Sequence, residues 1–400
     1  MAWRNIVRNL RRSSITISAI SLGLASLLFL WGFQDGVQNT MTRNLQQVVV
    51  GSIQIHSKGF FRQPALEGAL ADRALVEQEL ERLGVVRSTV RLNAFALAAG
   101  QGSSEGLNMM GISPETERLT TKLHSKVSLG RFLQKDDTNA CVLGATTASN
   151  LGLSLNDDVV LLANDRFGSL SAERFRLVGI IESGEMGIDR GLVIVPLTSM
   201  QTLLGMEDRI TDIVIQLPRT QLEPTTSALR TALDPERYEV LRWYDMYPVM
   251  KQSIERDTVF HYIIQAIVLF IVAAGIMNTM LMSTMERVHE FGVMMALGCS
   301  RTRLATMVTI ESVLIGLVGI MFGTLLGLGL VAFFGRVGIN LSQFIDTATR
   351  FYIDPVVHTE INMDHLLFTV WAVVIAASLA AIVPALRAAH LQPVEAIHHV

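Results

Sequence analysis

Arg287, His289 and Glu290 gather at the start of residues 285–303, a run set between two long apolar stretches. Side chains of these types can form ion pairs, cap a helix or orient a soluble partner. At helical spacing Phe291, Met294 and Met295 cluster on one side of this run, with Val288 and Leu297 at its edges. Gly298 follows, a residue tolerant of positive φ and suited to stop a helix. A short amphipathic helix held against a membrane face is expected here, with apolar side chains able to dock into a soluble protein.

Other chemistry has little to rest on. A Walker A loop needs a glycine-rich turn ending Gly-Lys-Ser/Thr, so that backbone amides and the lysine hold phosphates. No Gly-Lys dipeptide occurs in the chain, so ATP hydrolysis by that route is not expected. There is no His-Glu-x-x-His, and no catalytic or metal-binding residue is assigned. Cys141 and Cys299 fall on opposite sides of the membrane in the topology below, so neither a disulfide nor a zinc site is expected. Met277, Met280, Met282 and Met285 read as flexible packing within a helix.

The elements that must position the 285–303 run are membrane spans. Of 400 residues, 50% are hydrophobic and 17% charged, and the mean hydropathy is +0.39. A few spans plus a sizeable polar domain fit those values better than a soluble chain or a pure membrane bundle does. The net charge of −3 gives no reason to expect a nucleic-acid surface.

Residues 1–14 carry Arg4, Arg8, Arg11 and Arg12 with no acid, while Trp3, Ile6, Val7 and Leu10 share a helical face. That is a basic amphipathic segment with an interfacial anchor. Residues 15–34 hold no charge and form a first span, about 30 Å long at 1.5 Å per residue. It reads as a retained span, because no small-x-small cleavage site follows. Residues 35–258 alternate strand and helix patterns and are expected to form an α+β domain in two lobes. Lobe one covers about 45–120 plus 205–248, and lobe two about 121–204. A second span at 259–285 contains His261, Gln265 and Asn278, with helix–helix hydrogen bonding expected of Asn278. After a loop at 286–306, a third span at 307–334 bears the ridge Gly319-x-x-x-Gly323-x-x-x-Gly327. Its one acid, Glu311, is expected to pair with a loop arginine such as Arg303. An outer loop at 335–365, a fourth span at 366–386 and a tail at 387–400 complete the chain. Arginines concentrate in the N-terminal segment, in the 286–306 loop and at Arg387, which predicts cytoplasmic termini and a periplasmic domain. Phe29, Phe33, Val37 and Met41 form an apolar stripe that Val259, Tyr262 and Ile263 could face across a cleft between the first two spans.

Arg287, Glu290-Phe291-Gly292, Ala296-Leu297-Gly298 and Arg301 resemble the cytoplasmic loop of FtsX-like, MacB-type ABC-transporter permeases, R-x-x-E-[FI]-G-x-x-x-A-[LI]-G. Pro384, Arg387, Pro393 and Glu395 resemble the tail of the same family, P-x-x-R-A-A-x-x-x-P-x-E-A-[IL]. Gly130-Arg-Phe-Leu and Gly179-Ile-Ile-Glu-Ser-Gly184 resemble features of its large outer domain. Val50-Gly-Ser-Ile-Gln-Ile-His56 resembles the opening of that domain in lipoprotein-releasing permeases. The resemblance implies four spans in the bacterial inner membrane and a loop helix that contacts a dimer of separate ATPase subunits. Phe291 and Leu297 would supply apolar docking, Glu290 and Arg287 orienting ion pairs or caps, and Gly292 a close backbone approach. ATP and Mg would belong to that partner, and a second permease chain, identical or homologous, would complete the assembly. ATP-driven closure would reach the outer domains by mechanotransmission. The leading expectation for cargo is a lipoprotein drawn from the membrane lipid and handed to a periplasmic acceptor. The alternatives are efflux of a drug, toxin or peptide with a periplasmic adaptor, and a non-transporting sensor that controls an envelope enzyme.

Overall fold

A computed structural model describes residues 10–70, 72–100, 102–342 and 356–389. The amphipathic residues 1–9, much of the 335–365 loop and the tail residues Pro393 and Glu395 lie outside the described residues. The chain divides into two compact units. One takes the described parts of Met1–Gln38, Ser253–Leu341 and Val356–Val400; the other is chiefly Asn39–Gln252.

Four helices of the first unit are long and apolar enough to cross a membrane. They are Leu10–Asn44, Pro248–Glu286, Arg301–Val337 and Met363–Ala389. Each helix outruns its uncharged stretch, because hydropathy marks the hydrocarbon core while backbone hydrogen bonding continues into polar sequence. Ile20, Leu24 and Leu27 of the first span, Val272 and Ile276 of the second, Ile315 and Ile320 of the third, and Val373 of the fourth form one buried cluster. Large side chains such as Phe270, Leu325 and Trp371 stay exposed on the chain, as lipid-facing positions of a span do.

The glycine ridge of the third span meets the first span. A Cβ added at Gly319 would come within 2.8 Å of Ile20 Cβ, and one at Gly323 within 2.9 Å of the Ser21 carbonyl oxygen. One at Gly327 would lie 3.0 Å from Leu28 Cβ. Ser21 Oγ donates to the Gly319 carbonyl at 2.9 Å. Small residues at this spacing let two helix backbones approach, which is how packing drives association where lipid is as apolar as leucine.

The second unit carries ten strands among its described residues. They are β1 Ile53–Ser57, β2 Ser88–Ala99, β3 Ser104–Ile112, β4 Val127–Gly130, β5 Ala140–Gly144, β6 Asp158–Asn164, β7 Leu170–Ile181, β8 Leu192–Pro196, β9 Asp212–Ile215 and β10 Tyr238–Arg242. The sheet order is β10-β1-β9-β2-β3-β8-β5-β7-β4, and β6 pairs both β2 and β7. The ring β2-β3-β8-β5-β7-β6-β2 is therefore closed into a barrel. Alternate residues such as Leu107, Met109, Cys141, Val159, Phe175 and Val193 belong to one buried core, as period-two patterning requires. Burial raises the Cys141 thiol pKa and keeps it protonated.

Two lobes are present, but they share strands. The long β2 pairs β9 from Ser88 to Arg91 and β6 from Leu97 to Ala99. Its first half extends a small sheet with β1, β9 and β10, and its second half walls the barrel. Strands β2 and β3, expected in lobe one, thus also build lobe two. Alternation along one strand does not say that its neighbour changes midway.

Where β2 leaves the small sheet, charge is buried. Arg91 Nη2 lies 2.6 Å from Glu117 Oε1, with both side chains almost inaccessible. Thr121 Oγ1 donates to the same Glu117 oxygen at 2.7 Å. His56 Nδ1 stands 2.7 Å from Asp212 Oδ1, near enough for an ion pair although the ring is not aligned as a hydrogen-bond donor. Burial works to raise the Asp212 pKa, but His56, the Thr211 hydroxyl and the Arg91 charge outweigh it and hold the carboxyl below its ordinary range.

Candidate functional site: the loop helix between the second and third spans

The second-span helix ends at Glu286, and Arg287 leaves helical geometry at φ −103° and ψ 11°. A new helix, Val288–Ala296, follows. Gly298 adopts φ +93°, its N–H donates to Met295 O at 3.0 Å, and Cys299 N–H donates to Met294 O at 3.0 Å. These are the paired hydrogen bonds of a Schellman end, which glycine allows at low strain. Ser300 Oγ then accepts from Arg303 N at 3.4 Å and caps the third-span helix. A helix with both ends defined, on a loop this short, has little freedom to move apart from the spans.

One side chain fastens it from below. Phe291 is 0% exposed, packed among Leu304 and Val308 of the third span and Ala385 of the fourth, with Met294, Met295 and Met307 around it. Arg287 fastens it from the side. Its Nε donates to Glu290 Oε2 at 3.1 Å and its Nη1 to Glu311 Oε2 at 3.0 Å, while the guanidinium lies 5.0 Å from the Phe291 ring centroid. Charge-assisted hydrogen bonds to a carboxylate that is 10% exposed are strong, and the cation–π contact couples both fastenings.

Glu311 pairs with a loop arginine, as expected, but with Arg287 and not with Arg303. Arg303 sits eight residues earlier on the same straight helix, about 12 Å along its axis. One expectation is corrected: Phe291, expected to dock outward, is buried against the spans. Leu297, 83% exposed, and Val293, 41% exposed, are the apolar side chains that face outward. His289, Glu290, Ala296 and Arg301 are exposed with them, and Gly292 is buried. Positions 289, 293, 296 and 297 share one helical face. In the tail motif Pro384 is buried within the fourth-span helix and Arg387 is exposed in its last turn.

The apolar stripe of the first span is not brought against the second span as a set. Phe29 packs on Phe334 of the third span, ring centroids 5.4 Å apart. Trp31, which the sequence did not single out, makes a polar contact between the first and second spans. Its Nε1 donates to Gln265 Oε1 at 2.9 Å, and its ring lies 5.3 Å from Tyr262 and 4.0 Å from His365 of the fourth span. Beside it His365 Nδ1 is 2.9 Å from Asp35 Oδ2, a second, partly buried tie between the first and fourth spans. Phe33 and Val37 are half-buried, while Val259 and Ile263 are exposed; Met41 belongs to the other unit. Asn278 is also exposed on the chain. Gln265 was visible as a polar residue inside a span, but its partner was not, because tryptophan reads simply as apolar.

A serine motif also has a structural place. Gly102-Ser-Ser-Glu-Gly106 spells Gly-x-Ser-x-Gly, yet it lies at the turn into β3 and runs into a strand, not into a helix. The strand-to-helix elbow that exposes a nucleophilic serine is therefore not formed there.

Comparison with known proteins agrees with this architecture. Residues 13–232 match the MacB-like periplasmic core domain, and residues 262–393 match the FtsX-like permease C-terminal domain. The chain is 25% identical over 366 residues to the macrolide export ATP-binding/permease protein MacB of Hyphomonas neptunium, covering 86% of this chain and 54% of that protein. It thus spans about half the length of that relative. It is 21% identical over 407 residues to the lipoprotein-releasing system transmembrane protein LolC of Neisseria meningitidis serogroup B, covering 96% of this chain and 93% of that one. The periplasmic region of MacB from Actinobacillus actinomycetemcomitans aligns with 54% of this chain and 97% of its own at 16% identity, with a TM-score of 0.38. With a MacB-like core domain and an FtsX-like C-terminal domain matched in order across most of its length, the chain belongs to the FtsX-like, MacB-type family of ABC-transporter permeases.

Proposed function

We propose that this protein is the permease subunit of a transporter whose ATP hydrolysis is carried out by a separate subunit. The observation that carries the reading is the loop helix Val288–Ala296. It is stopped at Gly298, locked inward by Phe291 and Arg287, and left with Leu297 and Val293 exposed. Such a helix is a rigid knob: a push on Leu297 reaches the third span through the Arg287–Glu311 pair and the fourth through Ala385. ATP and Mg would be held by the partner dimer, and the chain's own part is to receive and pass on its motion. A second permease chain, identical or homologous, would complete the assembly, with the domain 39–252 on the periplasmic side.

For cargo, the reading favoured is extraction of lipoproteins from the inner membrane toward a periplasmic acceptor. The LolC relative supports it, because its match extends over nearly the full length of both chains. Efflux through a periplasmic adaptor is the second reading, supported by the MacB relative. Purification in mild detergent with a co-expressed ATP-binding subunit, followed by mass spectrometry of intact complexes, tests both. Acylated lipoprotein that is released on addition of ATP is the expected result. An adaptor protein with no lipoprotein would transfer the assignment to efflux, and absence of any ATP-binding partner would overturn the permease reading.

A further inference from the structure

One opening in the domain 39–252 has a volume of about 890 Å³. It lies between the turn leading into β2, the end of the helix Pro114–Thr120 with the 3-10 turn Leu123–Lys126, and the chain just after β9. Arg87, Arg118, Lys122 and His124 line it, and among the described residues no aspartate or glutamate does. Cations that converge on a concave surface without a lining acid create a positive potential that an anion relieves. The buried Glu117 close by does not cancel it, since that carboxylate is already matched by Arg91.

A second observation points to the same place. Three polar side-chain atoms on this wall are buried with no hydrogen-bond partner among the described residues: Thr120 Oγ1, His124 Nδ1 and Gln216 Oε1. Thr120 is only 4% exposed. Orphaned buried polar atoms are few in native proteins, and each needs a partner to explain it. The neighbouring hydroxyls are already used, Thr121 by Glu117 and Ser125 by the Lys122 carbonyl. What is left over is a threonine O–H, an imidazole nitrogen, an amide carbonyl oxygen and cationic donors. Arg118 gives one N–H to the Leu133 carbonyl and keeps the remainder of its fork.

We propose that this cleft binds a phosphate ester that carries a free hydroxyl, of the glycerol phosphate kind, either as a soluble molecule or as a lipid headgroup. The cationic side chains and the Thr120 hydroxyl donate to the phosphate oxygens, for which arginine forks are geometrically suited. Gln216 Oε1 can only accept, so it takes the ligand hydroxyl. The volume leaves room for more than a bare phosphate and lies within the range of small-molecule sites. The site is independent of the loop helix and does not rest on the transport reading.

The test uses the full chain in phosphatidylcholine nanodiscs, titrated calorimetrically with sn-glycerol 3-phosphate. Saturable binding is expected, weakened at least about tenfold in the Arg87→Ala/Lys122→Ala variant. Both residues are exposed, so the fold should be retained. Thr120→Val should weaken binding with little change in Tm, and glycerol should not bind. A lower apparent affinity in discs containing phosphatidylglycerol would assign the site to a lipid headgroup; an unchanged affinity would assign it to the free ester. Absence of binding, binding no tighter than that of inorganic phosphate, or equal binding by wild type and Arg87→Ala/Lys122→Ala would overturn the proposal.

Discussion

Two residues six apart on the loop helix do opposite work, and substitutions should separate them. Phe291 is sealed between the third and fourth spans, so Phe291→Ala removes a packed ring and leaves a cavity. Such a change costs about 3–5 kcal/mol in protein cores, and a clear fall in Tm is expected in detergent. Leu297 is exposed, so Leu297→Asp should leave Tm unchanged within about 1 °C. Arg287→Ala strips a partner from the nearly buried Glu311. The double variant Arg287→Ala/Glu311→Gln should recover part of the lost Tm, because a nearly buried carboxylate that has lost this charge partner costs more than a neutral amide in its place. In the domain, Asp212 has its carboxyl pKa depressed on folding. A depressed acid stabilises above its unfolded pKa, and that contribution is lost as pH falls through the folded value. The Tm gap between wild type and Asp212→Asn should therefore be full at pH 7 and should narrow below about pH 4, as thermal unfolding across that range would show.

At the scale of elements, the contact between the first and third spans rests on glycine. Gly323→Leu would push a side chain into the Ser21 carbonyl and Leu24, where an added Cβ already sits at 2.9–3.0 Å. Lower Tm and loss of folded yield are expected, whereas Gly329→Leu, with nothing within 4 Å of its Cβ position, should be tolerated. This ridge was legible in the sequence because a four-residue glycine period has one geometric meaning in a span. Its partner was not, since the first span's Ile20, Ser21 and Leu24 carry no comparable period. The loop helix and its stop at Gly298 were legible for the same local reasons. The direction of Phe291 was not, because an amphipathic pattern shows which residues share a face and not whether the spans or a partner cover it. Glu311 was recognised as a paired acid, but helix geometry, not proximity in sequence, chose Arg287. The division of β2 between two sheets also depended on partners far along the chain.

For the whole molecule, the proposed function has motion from an ATP-binding partner enter the chain at the loop helix. The domain 39–252 and the four-span bundle are each internally well packed, with separate cores. The most direct test compares wild type with Leu297→Asp, both reconstituted with a co-expressed ATP-binding subunit, by co-purification and by ATP hydrolysis with and without the permease. Leu297→Asp is expected to fold with wild-type Tm but to lose most of the bound partner and of the permease-dependent hydrolysis. Wild-type partner binding and hydrolysis in that variant would contradict this role of the loop helix.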